Sequence, residues 1–194
     1  MRKLNIGSAE PKGQFRRPEW FNIDASRVYR AAKSSLGNQV PRFAVASGCA
    51  LPFRDETFCE IRAIHVLEHV PREFHLPFLR EVRRTLTRDG SAFIEVPDIL
   101  RSCQIVAGVV GHLESGVLDP PQIEVAREFI RQKIVGIYGK GRHEGDWHHW
   151  GFTPWHLEKL LSDVGLGCEA QQEMISGHFK MEPVLLYRAW RVDI

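Results

Sequence analysis

The period of the apolar positions changes along the chain, and each change marks an element. Lys3 to Ile6 predicts a short strand running directly into Gly7-Ser8-Ala9, and Trp20 to Ile23 a second strand closing on Asp24. Ser26 to Leu36 reads as a helix ended by Gly37-Asn38, and Arg42 to Ala46 as a third strand. A Leu51-Pro52-Phe53 turn and a polar, acidic loop precede the apolar run Ile61 to Leu67, which ends in Glu68-His69. Phe74, Phe78, Val82 and Leu86 then fall at four-residue spacing, the stripe of an amphipathic helix. Asp89-Gly90 breaks the chain, and Ala92 to Val96 is a short apolar strand stopped by Pro97-Asp98.

Strand, helix and strand joined in this way form a crossover unit, whose two strands lie parallel in one sheet. In open sheets of that kind the ligand sits beyond the carboxyl ends of the strands. His65, Glu68, His69 and Asp98 therefore fall along one rim.

Beyond Asp98 the pattern turns helical. Ile99 to Leu118 and Gln122 to Ile137 predict two helices separated by Asp119-Pro120-Pro121. An insertion after the fifth strand is placed to act as a lid or substrate wall over the rim, and equally to make a dimer contact. Tyr138 to His149 is a glycine- and histidine-rich loop. Thr153-Pro154 after it is a helix start, N-cap and first position in turn. Leu157, Leu160, Leu161 and Val164 form the buried stripe of that helix, and Gly165 closes it.

Composition narrows the class. A chain of 194 residues, 43% hydrophobic, can bury one core, so the expectation is a single domain over 1–194 with 99–149 as a helical insert. The formal net charge of +2 is too small to demand a polyanionic partner. Arg80, Arg83, Arg84 and Arg88 cluster near one helix, but a basic face of that size is usually solvated, and no nucleic-acid partner is expected. Cys49, Cys59, Cys103 and Cys168 lack paired spacing and read as reduced thiols. The N-terminal stretch lacks the apolar core of a signal peptide, and no run reaches membrane-spanning length. A soluble cytoplasmic protein with no membrane partner is the expectation.

The block from Ser47 to Asp98 resembles the class I S-adenosylmethionine-dependent methyltransferases, in particular the small type 11 branch. There a Leu-Pro-Phe turn leads to a strand closing in a Leu-Glu-His-like motif, then a helix, an Asp-Gly or Pro-Gly turn, and a strand ending in Pro-Asp. Leu51-Pro52-Phe53, Leu67-Glu68-His69, Asp89-Gly90 and Pro97-Asp98 follow that order. The resemblance continues in a His before a Gly-Phe-Thr helix start, which is His148 here, and in two closing antiparallel strands at Cys168 to Ile175 and Pro183 to Arg191. It implies an α/β fold: a Rossmann-like, twisted, mainly parallel sheet flanked by helices, with an antiparallel C-terminal strand pair and a helical insert after the fifth strand. It also implies S-adenosylmethionine as cofactor, held by the turn Gly7, Ser8 and Ala9, by Asp24, by Ser47 and Gly48, and by His65.

Three positions depart from the family pattern. Ala9 stands where a second glycine is common, Ser47 where an Asp binds the adenine amino group, and Cys59 where another Asp is usual. Asp24, at the tip of the second strand, accepts both ribose hydroxyls on one reading and caps the next helix on the other.

A sulfonium methyl donor is already activated, so protein side chains mainly align the acceptor and exclude water. A general base matters when the acceptor is a hydroxyl or a protonated amine. The candidates are His148, His69, His65 and Asp98, with Glu68 beside them as a helix cap. The acceptor expected is a small molecule or sugar-containing metabolite, methylated on oxygen or nitrogen, and a homodimer is possible. Two rival readings stand beside this one. A degenerate binding protein keeps the fold without catalysis, and a metal-dependent hydrolase uses the loop residues His143, Asp146, His148 and His149. No metal is expected on the methyltransferase reading.

Overall fold

A computed structural model describes residues 1–7, 17–25, 42–141, 144–171 and 183–192. The strands are β1 (Lys3–Ile6), β2 (Trp20–Asp24), β3 (Phe43–Val45), β4 (Phe58–Ile64), β5 (Leu86–Pro97), β6 (Leu166–Ala170) and β7 (Val184–Arg191). They form one sheet in the order β3-β2-β1-β4-β5-β7-β6. Neighbours from β3 to β5 run parallel, while β7 is antiparallel to both β5 and β6. The predicted fold class is the one observed. The predicted helix from Ser26 to Leu36 lies outside the described residues.

Strand order explains where a ligand can enter. The chain proceeds from β1 to β3 in one direction and restarts at β4 on the other side of β1. The crevice between the carboxyl ends of β1 and β4 is therefore the point where the order reverses, the usual ligand position in such sheets. One face of the central strands is the more deeply buried, so that every second residue is sealed in. Ala92, Ile94 and Val96 of β5 and Ile61 and Ala63 of β4 are fully buried.

Helix α1 (His75–Thr85) covers the sheet with His75, Phe78, Leu79 and Val82. The predicted stripe is rotated by one position at its start. Phe74 is 48% exposed because it ends a short 3₁₀ turn ahead of the helix, and His75 takes the buried place. Helices α2 (Ile99–Glu114) and α3 (Pro120–Tyr138) form the insert. Asp119 starts α3 with a capping box: its side chain accepts from Gln122 N, and the Gln122 side chain accepts from Asp119 N. Helix α4 (Pro154–Asp163) buries Leu157 and Leu161 and ends at Gly165 with φ +73°. Thr153 precedes it with extended backbone, but its hydroxyl makes no capping bond.

Several strand limits differ from the sequence reading. Strand β4 starts at Phe58 and stops at Ile64, because His65 adopts a left-handed backbone (φ +52°) that no ladder accommodates. Strand β5 begins at Leu86 and is not broken at Asp89-Gly90. Phe58 pairs with Leu86 and Glu60 with Ser91, so residues 87–90 are absorbed as a bulge. Strand β6 begins at Leu166, two residues before the predicted start, and residues beyond Gln171 in that prediction are outside the described set.

Candidate active site

The carboxyl ends of the parallel strands meet at one edge. Gly7 follows β1 with φ +74°, and its N–H donates to the Ile23 carbonyl of β2 (3.0 Å). A side chain there would be strained by that backbone and would strike Val66, with a Cβ only 2.3 Å from its methyl group. Gly7 thus keeps the switch point between β1 and β4 narrow. Asp24 ends β2, 8% exposed, one strand from Gly7. Ser8 and Ala9 lie outside the described residues.

Ser47 is exposed and its hydroxyl accepts from Cys49 N at 3.1 Å, which folds it into its own turn. Gly48 has a packing reason to be glycine: a Cβ would sit 2.3 Å from the Phe78 ring.

His65 sits at the tip of β4 with both ring nitrogens on carboxylates. Its Nδ1 is 3.0 Å from Glu68 Oε1 and its Nε2 is 3.2 Å from Glu95 Oε1. Burial alone would lower its pKa, but the hydrogen bonds to Glu68 and Glu95 prevail and hold it up to about 9. His65 is thus clamped between two buried acids, with both ring nitrogens already engaged. Sequence reasoning missed Glu95. The available signal was a carboxylate inside the apolar run Ala92 to Val96, since glutamate is rarely buried without a partner.

Glu68 and His69 ride on a 3₁₀ turn (Leu67–His69) immediately after His65. The loop before α4 folds down on this turn. His149 N donates to the Glu68 carbonyl at 2.7 Å, and His69 Nδ1 donates to the Trp147 carbonyl at 3.0 Å. His148 comes down beside His69, ring centroids 4.8 Å apart and edge to face. Its own Nδ1 donates to the Ile137 carbonyl (3.1 Å), and its N–H to the Tyr138 carbonyl (3.0 Å), both at the end of α3. A carbonyl only accepts, so in both histidines the proton is on Nδ1 and a lone pair remains on Nε2. Burial depresses the pKa of His148, with neighbouring Glu68 opposing and His69 adding to the effect.

Asp98 serves locally. Its Oδ1 accepts from Arg101 N (2.9 Å) and caps α2, while its backbone pairs with Phe152. The histidine loop does not form its own cluster. Among the described residues, His148 groups with Glu68 and His69, not with Asp146 and His149. His143 lies outside the described residues.

Residues 13–94 match the methyltransferase domain family, type 11. Over that stretch, from ahead of β2 into β5, the chain is similar to the type 11 methyltransferases. The family's cofactor is S-adenosylmethionine. Solved structures agree on the fold. The YcgJ protein of Bacillus subtilis is 15% identical, with a TM-score of 0.60 over 99% of this chain and 92% of that one. An S-adenosylmethionine-dependent methyltransferase of Methanosarcina mazei is 14% identical, with a TM-score of 0.58 over 99% and 93%. A 1,6-didemethyltoxoflavin-N1-methyltransferase of Burkholderia thailandensis, solved with its acceptor and S-adenosylhomocysteine, is 14% identical, with a TM-score of 0.55 over 98% and 71%. No curated protein sequence matches the chain. No helix among the described residues is long and apolar enough to cross a membrane.

Proposed function

We propose that this methyltransferase acts on a small-molecule or sugar-containing acceptor, at oxygen or nitrogen, and that the rim around Glu68, His69 and His148 handles the acceptor's proton. One observation carries the reading. The carboxyl ends of the strands gather a glycine turn, a buried carboxylate and two histidines with free Nε2 lone pairs, at the point where strand order reverses. S-adenosylmethionine supplies a methyl group already activated on sulfur. Gly7 would let backbone approach it, and Asp24 would accept its two ribose hydroxyls. His65, fixed by Glu68 and Glu95, holds the tip of β4 in place and contributes no base. His148 and His69 face the proton of a hydroxyl or ammonium acceptor, and the pair α2–α3 with its following loop forms the wall that keeps water out.

The absence of a dominant basic face supports a small acceptor over nucleic acid. The engagement of Ser47 with its own turn supports a weaker hold on adenine than an aspartate would give. Asp24 is the residue to test for the cofactor. Asp24→Ala should weaken S-adenosylhomocysteine binding by about 1.5–3 kcal/mol, measured calorimetrically, the range for a hydrogen bond to a charged group. Unchanged affinity in a folded variant would leave Asp24 as a helix cap and remove the ribose role.

A further inference from the structure

We propose that Glu68, His69 and His148 form a binding site for a divalent first-row metal ion of the zinc type, on the acceptor side of the rim. The inference rests on the methyltransferase reading for its purpose, but not for its chemistry. One donor atom from each of the three side chains lies within 4.8 Å of the other two. The bonds already made decide which atoms remain. Glu68 Oε1 receives the His65 proton, while Glu68 Oε2 is buried and has no hydrogen-bond partner. The Nδ1–H groups of His69 and His148 are spent on the carbonyls of Trp147 and Ile137, which leaves two Nε2 lone pairs.

That is the arrangement a metal-binding histidine requires. Ligand imidazoles characteristically donate the other ring N–H to a carbonyl or carboxylate, which fixes the tautomer and the ring plane. A ligating carboxylate is likewise held through its second oxygen, as Glu68 is by His65. An acid that is 1% exposed with one oxygen unmatched is costly unless a cation or donor meets it. Two imidazoles and one carboxylate suit zinc, cobalt or nickel better than magnesium, which prefers oxygen donors. Metal bonds of about 2.0–2.2 Å set tetrahedral donors about 3.4 Å apart, so the three side chains must draw closer together to take up an ion. Three protein donors leave a fourth position open, the pattern of catalytic rather than structural zinc, and an acceptor oxygen can occupy it; with both Nε2 lone pairs on the ion, the ion rather than an imidazole would then ease loss of the acceptor's proton. The site is not the one the sequence suggested. It takes His148 from the loop but draws its partners from the turn after β4.

The test uses the full-length untagged protein, stripped with a chelator and titrated with Zn²⁺ alone. We expect one ion per chain, unaffected by excess Mg²⁺, and a Co²⁺-substituted form with the visible absorption of a four-coordinate nitrogen and oxygen site. His69→Ala, His148→Ala and the isosteric Glu68→Gln should each weaken binding by at least about 10–100-fold, the loss typical of disturbing even an outer partner of a ligand. His112→Ala, an exposed histidine on α2, should not change it. Circular dichroism of each variant separates lost ligation from lost fold, and Glu68→Gln remains informative where an alanine variant unfolds. Absence of stoichiometric binding, binding that Mg²⁺ displaces, or binding that survives both histidine variants would each overturn the proposal. S-adenosylhomocysteine binding without zinc binding removes the metal site and leaves the proposed function standing. Zinc binding without any cofactor binding does the reverse.

Discussion

The rim beyond β4 and the helical pair α2–α3 are built on opposite principles. At the rim, four ionisable side chains, His65, Glu68, Glu95 and His148, are buried or half-buried within a short stretch of space, and hydrogen bonds and close ion pairs fix their positions. Along α2 and α3, by contrast, Ser102 and Lys133 are the buried residues, and Val125 and Ile134 stand exposed. The charges of α3 pair along its surface, Arg127 with Glu124 and Arg131 with Glu128. Such pairs contribute little in water, whereas buried charges are expensive to isolate. The rim is therefore fixed in geometry and sensitive to single substitutions. The helical pair, with little buried, should tolerate substitution.

The sharpest break in this comparison is His148→Ala. Turnover should fall by a factor of about 100 to 10,000, the range for a lost proton-transfer group, with S-adenosylhomocysteine affinity nearly intact. Initial rates and calorimetry on the same preparation decide it, and loss of both together would make His148 structural. Next in size is the core beneath the rim. Phe78, 1% exposed and in contact range of Gly48, should cost about 3–5 kcal/mol on Phe78→Ala in urea unfolding, while Val125→Ala on α3 should stay within about 0.5 kcal/mol. Equal costs at the two sites would refute the contrast between them.

Hydrogen exchange should find 99–138 opening more easily than β4 and β5, and slowing when cofactor and acceptor bind. Equal protection with and without ligands would assign the helices to a fixed wall or a dimer contact.

The smallest effect concerns acid. His75 is 1% exposed; its Nε2–H donates to the Val70 carbonyl, and its Nδ1 has no partner. Burial foremost, with His156 and Arg72 nearby, depresses its pKa despite the opposing Val70 bond and Glu73. A histidine depressed in the folded state contributes stability that is present above the unfolded value near 6.5 and is lost as pH falls through the folded value. The melting temperature should therefore decline below about pH 6.5 with a slope that His75→Leu reduces. An identical slope in the variant would place the acid sensitivity elsewhere.

Much of this was legible in the residues. The parallel crossover and the rim position of His65, Glu68 and His69 followed from period changes and from the order of the Leu-Pro-Phe, Leu-Glu-His and Pro-Asp motifs, whereas the strand order did not. What escaped were long-range partnerships. Glu95 and His65 are thirty residues apart in sequence but bonded across the β4–β5 ladder, and no local pattern announces such a pair. The bulge after Leu86 was hidden because Asp-Gly signals a turn equally well whether the strand stops or merely loops out. The loop histidines looked like one another's partners because sequence counts neighbours along the chain. His148 instead meets a turn it approaches only after the intervening helices bring the chain back.

That return has a consequence of another kind. Asp98 and Phe152 pair as backbone neighbours, and Ile99 N donates to the Phe152 carbonyl at 3.1 Å. Everything between them leaves the sheet and comes back at the same place. The entropy of closing such an excursion grows only with the logarithm of its length, so lengthening or exchanging it disturbs the sheet very little. Shortening or exchanging the segment between Asp98 and Phe152 should therefore leave the sheet folded, which circular dichroism of such a variant would check.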